Sequence, residues 1–316
     1  MLIAAAPQAR LTAPTILDMP ESRFPLDLGI GIPRIRNLFH TATTNQWDPA
    51  TDIDWQVLDP SGYTEDQLYA ARMYWSRRAW GEYGAISESP ALQIRFCKEN
   101  CPADMRLYFT IRTQEESRHA EVCYRVAERL GGYIQQPDLS EFQGAVATHG
   151  VRKMALDPDT PLEAVIAALV CTAEEIAFDV FRHLIEITPH PVIRQVLKGI
   201  MRDEVRHCAF GWAFMASRVP HLSRAQLATV QEGIITIMEK VELNGYHSAW
   251  LAPDSPASRA ETRVDRLTWE AGLGATVEEL EKPVFIASVQ RIRSQIQDEW
   301  DLKLPMFRHP RIEGEF

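Results

Sequence analysis

Two short stretches constrain this chain more than anything else in it. They are Gln114-Glu115-Glu116-Ser117-Arg118-His119 and Arg202-Asp203-Glu204-Val205-Arg206-His207. Both read acid-Glu-x-Arg-His. On a helix, a Glu and a His three residues apart share one face, about one turn apart. One such pair is common. Two copies, each with an acid just before the Glu, point to two helices that each offer a carboxylate and an imidazole to a shared pair of metal ions. Two amphipathic helices with repeating polar faces are the plainer way to produce the same letters.

Composition narrows the setting. The 316 residues are 46% hydrophobic and 24% charged, which suits one large globular domain or one domain with appendages. The formal net charge is −10, and Arg77-Arg78 is too short to be a basic stripe, so no nucleic-acid partner is expected. Five cysteines, Cys97, Cys101, Cys123, Cys171 and Cys208, are an odd number, two of them inside helical patterns. They read as reduced thiols rather than a disulfide framework. The start, Met1 to Pro7, lacks the basic and apolar regions of a signal peptide, and no run of about 18 apolar residues occurs. A cytoplasmic protein with no membrane span is expected.

Prolines punctuate residues 1–62 too often for long helices, which predicts an irregular N-terminal arm lying over a core, with a disordered tail as the other reading of the first 20 residues. From Thr64 the pattern turns helical, opening on a capping-box signature and running to about Ser87, with Pro90 as a break or kink. A second helix spans about 103–130 and stops at Gly131-Gly132. Residues 133–160 read as a crossover. Further helices are predicted over about 161–187, 192–218 and 223–250, then 258–271 and 276–299, before an extended tail. The organisation expected is an arm over 1–62, a helical bundle over 63–252 and C-terminal helices over 253–316 packed on it. The fold class is all-α.

A dinuclear carboxylate site in a four-helix bundle takes Glu-x-x-His from two helices and one Glu from each of the other two. Four carboxylates offset the charge of two metal ions and can bridge them, and two imidazoles complete the set. Before Glu116 the candidate is Glu82, on a stripe with Trp75, Ala79 and Ile86. Before Glu204 it is Glu174 or Glu175. Glu174 shares its face with Val170, Ala177, Phe178 and Phe181 and is favoured; Glu175 falls with Asp179, Arg182 and Glu186, which look solvent-directed. The candidate metal and catalytic residues are therefore Glu82, Glu116, His119, Glu174, Glu204 and His207. Glu115 and Asp203 are expected to accept the remaining imidazole N–H of the His on the opposite helix, with Arg118 and Arg206 paired to these acids. Trp75, Phe178, Phe181 and Phe210 are candidate pocket walls.

This constellation resembles the ferritin-like di-iron carboxylate superfamily. Glu82, Glu116-x-x-His119, Glu174 and Glu204-x-x-His207 fall in that family's order over residues 64–220. The acid-Glu-x-Arg-His form is most similar to its oxygen-activating branch: bacterial multicomponent monooxygenases, acyl-carrier-protein desaturases, the radical-generating subunit of ribonucleotide reductase and the arylamine N-oxygenases. The chain departs from each. Cys123 stands where the reductase subunit has its radical tyrosine. Ile200 stands where arylamine N-oxygenases carry an extra His. Ala177 and Phe178 stand where monooxygenases and desaturases place a threonine.

The resemblance implies a ferritin-like four-helix bundle holding two iron ions, or manganese and iron, with O2 as co-substrate. The reaction implied is hydroxylation, N-oxygenation or desaturation of a small organic substrate. A second reading is iron handling of the ferritin or rubrerythrin kind, which the length of the chain and the lack of Cys-x-x-Cys pairs disfavour. No glycine-rich nucleotide fingerprint is present, so electrons are expected from an external donor or reductase. A homodimer is a plausible assembly.

Overall fold

The Thr64 hydroxyl accepts from the Gln67 N–H while the Gln67 side chain accepts from the Thr64 N–H, and this capping box starts the first long helix. A computed structural model describes residues 28–135 and 151–316. Its helices are α1 (Pro33–Thr44), α2 (Glu65–Lys98), α3 (Ala103–Arg129), α4 (Val151–Leu156), α5 (Leu162–Ala168), α6 (Glu175–Ile187), α7 (Pro191–Arg218), α8 (Arg224–Lys240), α9 (Pro256–Glu270) and α10 (Glu278–Trp300). Leu169–Glu174 is a π-helical segment that joins α5 to α6. No strand occurs among the described residues; a lone bridge pairs His309 with Ile312.

Four helical rods form the central bundle: α2, α3, the continuous α5–π–α6 run, and α7. α2 packs along α3, α6 packs on α7, and α3 faces α7. The turns between them have local causes. Asn100 takes a left-handed φ of 53° after α2, so the Cys101 N–H reaches back to the Phe96 carbonyl and the Asn100 N–H to Cys97. Gly131 does the same after α3, where the Gly132 N–H reaches Ala127 and the Gly131 N–H reaches Glu128. Both are Schellman caps that satisfy the last carbonyls of a helix.

The apolar interior falls into two clusters. One holds Phe96 of α2, Met105, Tyr108 and Phe109 of α3, Val165 of α5, and Phe210 and Phe214 of α7. The other holds Ala71, Trp75 and Ala79 of α2, Val122 and Val126 of α3, Val180 and Leu184 of α6, and Val192, Val196 and Ile200 of α7. Every bundle helix therefore passes from one cluster to the other. Glu82, Glu116 and Glu204 lie at the crossing points, and the polar layer is the seam between two hydrophobic cores.

Several expectations are corrected. α2 does not end near Ser87 but runs through Pro90 to Lys98. Proline removes one ladder hydrogen bond, yet Ser89 before it and Ala91, Leu92 and Phe96 beyond it are buried, and that packing holds the rod together. The helix expected to reach about Trp250 stops at Lys240, because the chain turns at Gly245, with φ of 93° and its Cα hydrogen side against Ala252. The arm is less irregular than its prolines suggest. Pro33 sits at the first position of α1, where a proline starts a helix rather than breaking one. Asp104 anchors that end of the arm by accepting from the Gly31 and Ile32 N–H groups at 2.7 Å. The readings made for residues 1–27 and 136–150 lie outside the described residues. α9 packs on α2 and α10 on α6, and Phe307 and Phe316 of the tail exchange backbone hydrogen bonds at 2.8 and 3.1 Å.

Candidate metal centre

The structure brings Glu82, Glu116, His119, Glu174, Glu204 and His207 together at the seam. Their ligand atoms form two overlapping groups, Glu82–Glu116–His119–Glu204 and Glu116–Glu174–His207, with the atoms of each group within 4.8 Å of one another. The two histidines are fully buried, and their rings lie 5.9 Å apart. Glu116 spans them, with Oε2 at 3.6 Å from Nδ1 of His119 and Oε1 at 3.4 Å from Nδ1 of His207. Glu204 spans them again, with its two oxygens each 3.2 Å from one of the same nitrogens. Glu82 lies on the His119 side, 3.8 Å from Nδ1, and Glu174 belongs to the His207 side. Two central carboxylates each present one oxygen to each half, and each half has one outer carboxylate, an arrangement that could hold two metal ions.

The donor atoms fit two metal ions. Nδ1 of both histidines and Oε2 of Glu174 are buried without a hydrogen-bond partner. Such atoms are costly to leave unpaired, and two metal ions, one beside His119 and one beside His207 and Glu174, would satisfy all three. The other ring nitrogens are occupied. His207 Nε2 donates to Glu115 at 3.0 Å and His119 Nε2 donates to Asp203 at 3.2 Å. A carboxylate only accepts, so each Nε2 keeps its proton and each Nδ1 is turned to the centre. The expected cross-helix contacts are thus present, and Arg118 and Arg206 each pair with both acids.

Charge is balanced by crowding. Burial opposes a charged His207, but Glu204, Glu116 and the Glu115 hydrogen bond raise its pKa to about 10. Burial likewise opposes charge on His119, and Asp203, Glu116 and Glu204 hold its proton well above the usual range. Burial pushes Glu174 up to about 7 against the pull of Arg112 and His207. Glu204 is held well below the ordinary carboxylate range by the two imidazoles, despite its burial. Without metal ions, protons on the two imidazoles and on Glu174 would offset the crowded carboxylates.

Glu174 rather than Glu175 faces the centre. Glu175 instead accepts from the Trp212 indole at 2.6 Å and pairs with Arg291 of α10 at 2.6 Å. The solvent-directed reading of Glu175 and Asp179 is corrected, since both are buried beneath α10 and share Arg291. The π segment sets this choice. An inserted residue shifts the helical face just before Glu174, and the Thr172 hydroxyl satisfies a carbonyl by donating to Ala167 at 2.9 Å.

Several residues of the centre escaped the sequence reading. Arg112, one turn before Glu116 on the same face, is buried and bonds Ser89 and Glu174 while lying 3.1 Å from Glu116. Its position four residues before Glu116 was the available signal. Trp47 donates its indole N–H to Asp203 at 2.9 Å, and Gln46 accepts from Arg118. Nothing local in the arm marks either residue.

A cavity of about 230 Å³ opens beside the centre and is lined by Glu82, Glu116, Glu174 and Glu204 at one end. Its apolar wall is Phe181, Val180, Leu184 and Ala177. Phe181 keeps its expected place there, whereas Trp75, Phe178 and Phe210 do not line the cavity. Cys123, one turn past His119, is buried, and burial pushes its thiol to about 12. Tyr124 is on the exposed side of α3.

No family model matches this chain, and no curated protein matches it in sequence. Its fold does match solved structures. An R2-like ligand-binding oxidase, as a tyrosine-to-phenylalanine mutant with anaerobically reconstituted Mn/Fe cofactor, superposes with a TM-score of 0.65 at 18% identity, over 83% of this chain and 93% of that one. A glycine-to-phenylalanine mutant with aerobically reconstituted Mn/Fe cofactor gives 0.64 at 19%, over 85% and 98%. An R2-like ligand-binding oxidase after photoconversion gives 0.63 at 15%, over 83% and 92%. The likeness is one of fold alone: the chain has a ferritin-like helical-bundle fold. Among the described residues no helix is long and apolar enough to cross a membrane.

Proposed function

We propose that this chain is an O2-dependent oxidoreductase that holds two iron ions, or one manganese and one iron, and oxidises a small organic substrate in the adjoining cavity. The observation that carries this reading is the pair of central carboxylates, Glu116 and Glu204, each presenting one oxygen to each of two buried imidazoles whose Nδ1 atoms are otherwise unpartnered. The solved structures that share the fold carry Mn/Fe cofactors by their own descriptions, which supports the choice of metals. When bound, such a metal pair supplies the electrons and open coordination positions that activate O2.

The chain's own residues perform the rest. Glu82, Glu116, His119 and Glu204 would hold one ion, and Glu116, Glu174, Glu204 and His207 the other. Glu115 and Asp203 fix the imidazole tautomers. Phe181 and Val180 would give the reacting face an apolar wall. Insertion of one oxygen atom into a C–H or N–H bond reduces O2 by four electrons: two come from the substrate and two from an external donor, with two protons making water.

The cavity favours substrate oxidation over iron storage. The test is anaerobic loading with Fe(II), followed by metal analysis and O2 uptake. Two metals per chain, with uptake limited to those two, is the expected result. Turnover of many added Fe(II) ions per chain would instead mark a ferroxidase. Glu116→Ala and His207→Ala should each lose bound metal, and retention of two metals by both variants would remove the proposed centre.

A further inference from the structure

The cavity also carries a second group of polar residues, none of which belongs to the converging ligand sets. Glu281 of α10, Asp265 and Glu261 of α9, Arg77 of α2 and His247 from the turn after α8 line it. Most of these groups are already matched. Arg77 donates to Asp265 at 2.6 Å and lies 3.7 Å from Glu261. His247 Nδ1 lies 3.0 and 3.1 Å from the two oxygens of Glu242. Glu281 differs. It is 4% exposed and accepts from the Trp250 indole at 3.0 Å, and no cation among the described residues pairs with it.

A buried carboxylate without an ion-pair partner is expensive to keep ionised, and burial pushes Glu281 up to about 7 against the weaker pull of Ser248, Trp250 and His247. Its neighbourhood is acidic, because Glu242, Glu261, Asp265 and Glu281 outnumber Arg77, Arg78 and His247. A metal ion is not what this end is built for. Among the described residues, the groups of converging metal-ligating atoms are confined to the bundle centre. An organic cation fits better, since one ammonium group needs only one carboxylate and a few acceptors.

The rest of the cavity sets the ligand's shape and direction. Phe181, Val180, Leu184 and Ala177 give an apolar middle, and about 230 Å³ is small beside the roughly 300–1,000 Å³ of drug-sized sites. Arg112 and Arg78 flank the carboxylate centre, at 3.1 Å from Glu116 and 3.7 Å from Glu82. With two metal ions added, that end is cationic and repels a positive group. We propose that the Glu281 end binds the protonated amine of a small aliphatic substrate and leaves the substrate's apolar end beside Glu82 and Glu174. This rests on the oxygenase reading and names its substrate class.

The test is calorimetric titration of the full iron-loaded chain with n-hexylammonium, hexan-1-ol and hexanoate, probes of one length and three charges. The ammonium should bind at least about tenfold more tightly than hexan-1-ol, and Glu281→Gln should lose about tenfold or more for the ammonium while leaving hexan-1-ol, and hexanoate held by the cationic metal end, unweakened. Hexan-1-ol binding as tightly as the ammonium in the native chain overturns the proposal without reference to any variant. So does undiminished ammonium binding by Glu281→Gln. Iron content and O2 uptake measured on the same samples keep the two readings apart. Their failure in the native chain condemns the oxygenase reading, whereas failure of charge selectivity with both intact condemns only the amine site.

Discussion

Glu115 on α3 accepts a hydrogen bond from Nε2 of His207 on α7 across 3.0 Å. Asp203 on α7 returns the arrangement to His119 on α3 at 3.2 Å. Each Glu-x-x-His helix therefore orients the imidazole of the other. The acid that precedes each Glu serves the opposite half of the centre, so the two copies of the motif form one interlocked unit.

That exchange makes Glu115→Gln informative. The amide keeps the shape but weakens the acceptor that holds the Nε2 proton, and Arg206 retains Asp203 as a partner. Iron affinity should fall by about 10–100-fold, as for other residues that orient a metal-bound His. Competition with a chelator of known affinity measures it. Unchanged affinity would show that the hydrogen bond does not orient the ring.

The arm reaches this unit through Trp47. Trp47→Phe removes the donor to Asp203 together with the far edge of the indole, the part that lies closest to Gly199. A buried hydrogen bond to a charged group contributes about 1.5–3 kcal/mol. Urea unfolding of the metal-free chain should show a loss of that order, and a change below about 0.5 kcal/mol would mean that Arg118 and Arg206 satisfy Asp203 by themselves.

The six clustered residues were legible because helical periodicity converts spacing into a face: Glu116 and His119 must lie together, and so must Glu204 and His207. Glu82 and Glu174 were legible because an acid inside an apolar stripe needs a reason to be there. Trp47 and Glu281 were not, since their roles depend on contacts across 156 and 31 residues that no local pattern encodes. Glu175 and Asp179 misled for a related reason. They form a polar face in isolation, and only the return of α10 with Arg291 covers it. Pro90 misled in the opposite direction, because local cost predicted a break that tertiary packing overrides.

Arg112 couples the metal-free fold to the centre. It bonds Glu174 and lies against Glu116, the carboxylates that metal ions would take. Removing one partner from a buried ionic cluster costs about 3–5 kcal/mol. Arg112→Met should therefore destabilise the metal-free chain by roughly that amount, and the metal-loaded chain by much less. Thermal melts with and without iron decide it; equal losses in both states would mean that Arg112 acts only through packing and Ser89.

Acidity should act on the metal-free chain with a definite sign. Burial alone would lower the His207 pKa, but Glu204 and Glu116 raise it from 6.5 to about 10. A basic group with a raised folded value stabilises the fold fully below its unfolded pKa and loses that contribution as pH rises through the folded one. Glu174, pushed up to about 7 by burial, adds the same sign at lower pH. The low folded values of Glu204 and Asp203 act only in more acidic solution. The melting temperature of the metal-free chain should fall between about pH 6.5 and pH 10. Iron takes the place of the Nδ1 protons, so loading should release protons and flatten that slope. A flat profile without metal would refute the charged imidazoles.

The π segment that carries Glu174 can be tested from the helix it leans on. A methyl group at Gly211 of α7 would fall 2.7 Å from Val170 and 2.9 Å from Cys171, both within that segment. Overpacking of this kind costs about 1–3 kcal/mol. The strain would be relieved by moving the segment, and Glu174 with it. Gly211→Ala should lower the melting temperature and bring bound iron below two per chain, with the loss on the His207 side. Gly81→Ala is the matched contrast, since Gly81 is exposed on α2 next to Glu82 and its Cβ would meet nothing within 4 Å. That change should stabilise by about 0.5–1 kcal/mol through helix propensity. If Gly211→Ala left both stability and metal content at native levels, the close fit of α7 to the π segment could not be what positions Glu174.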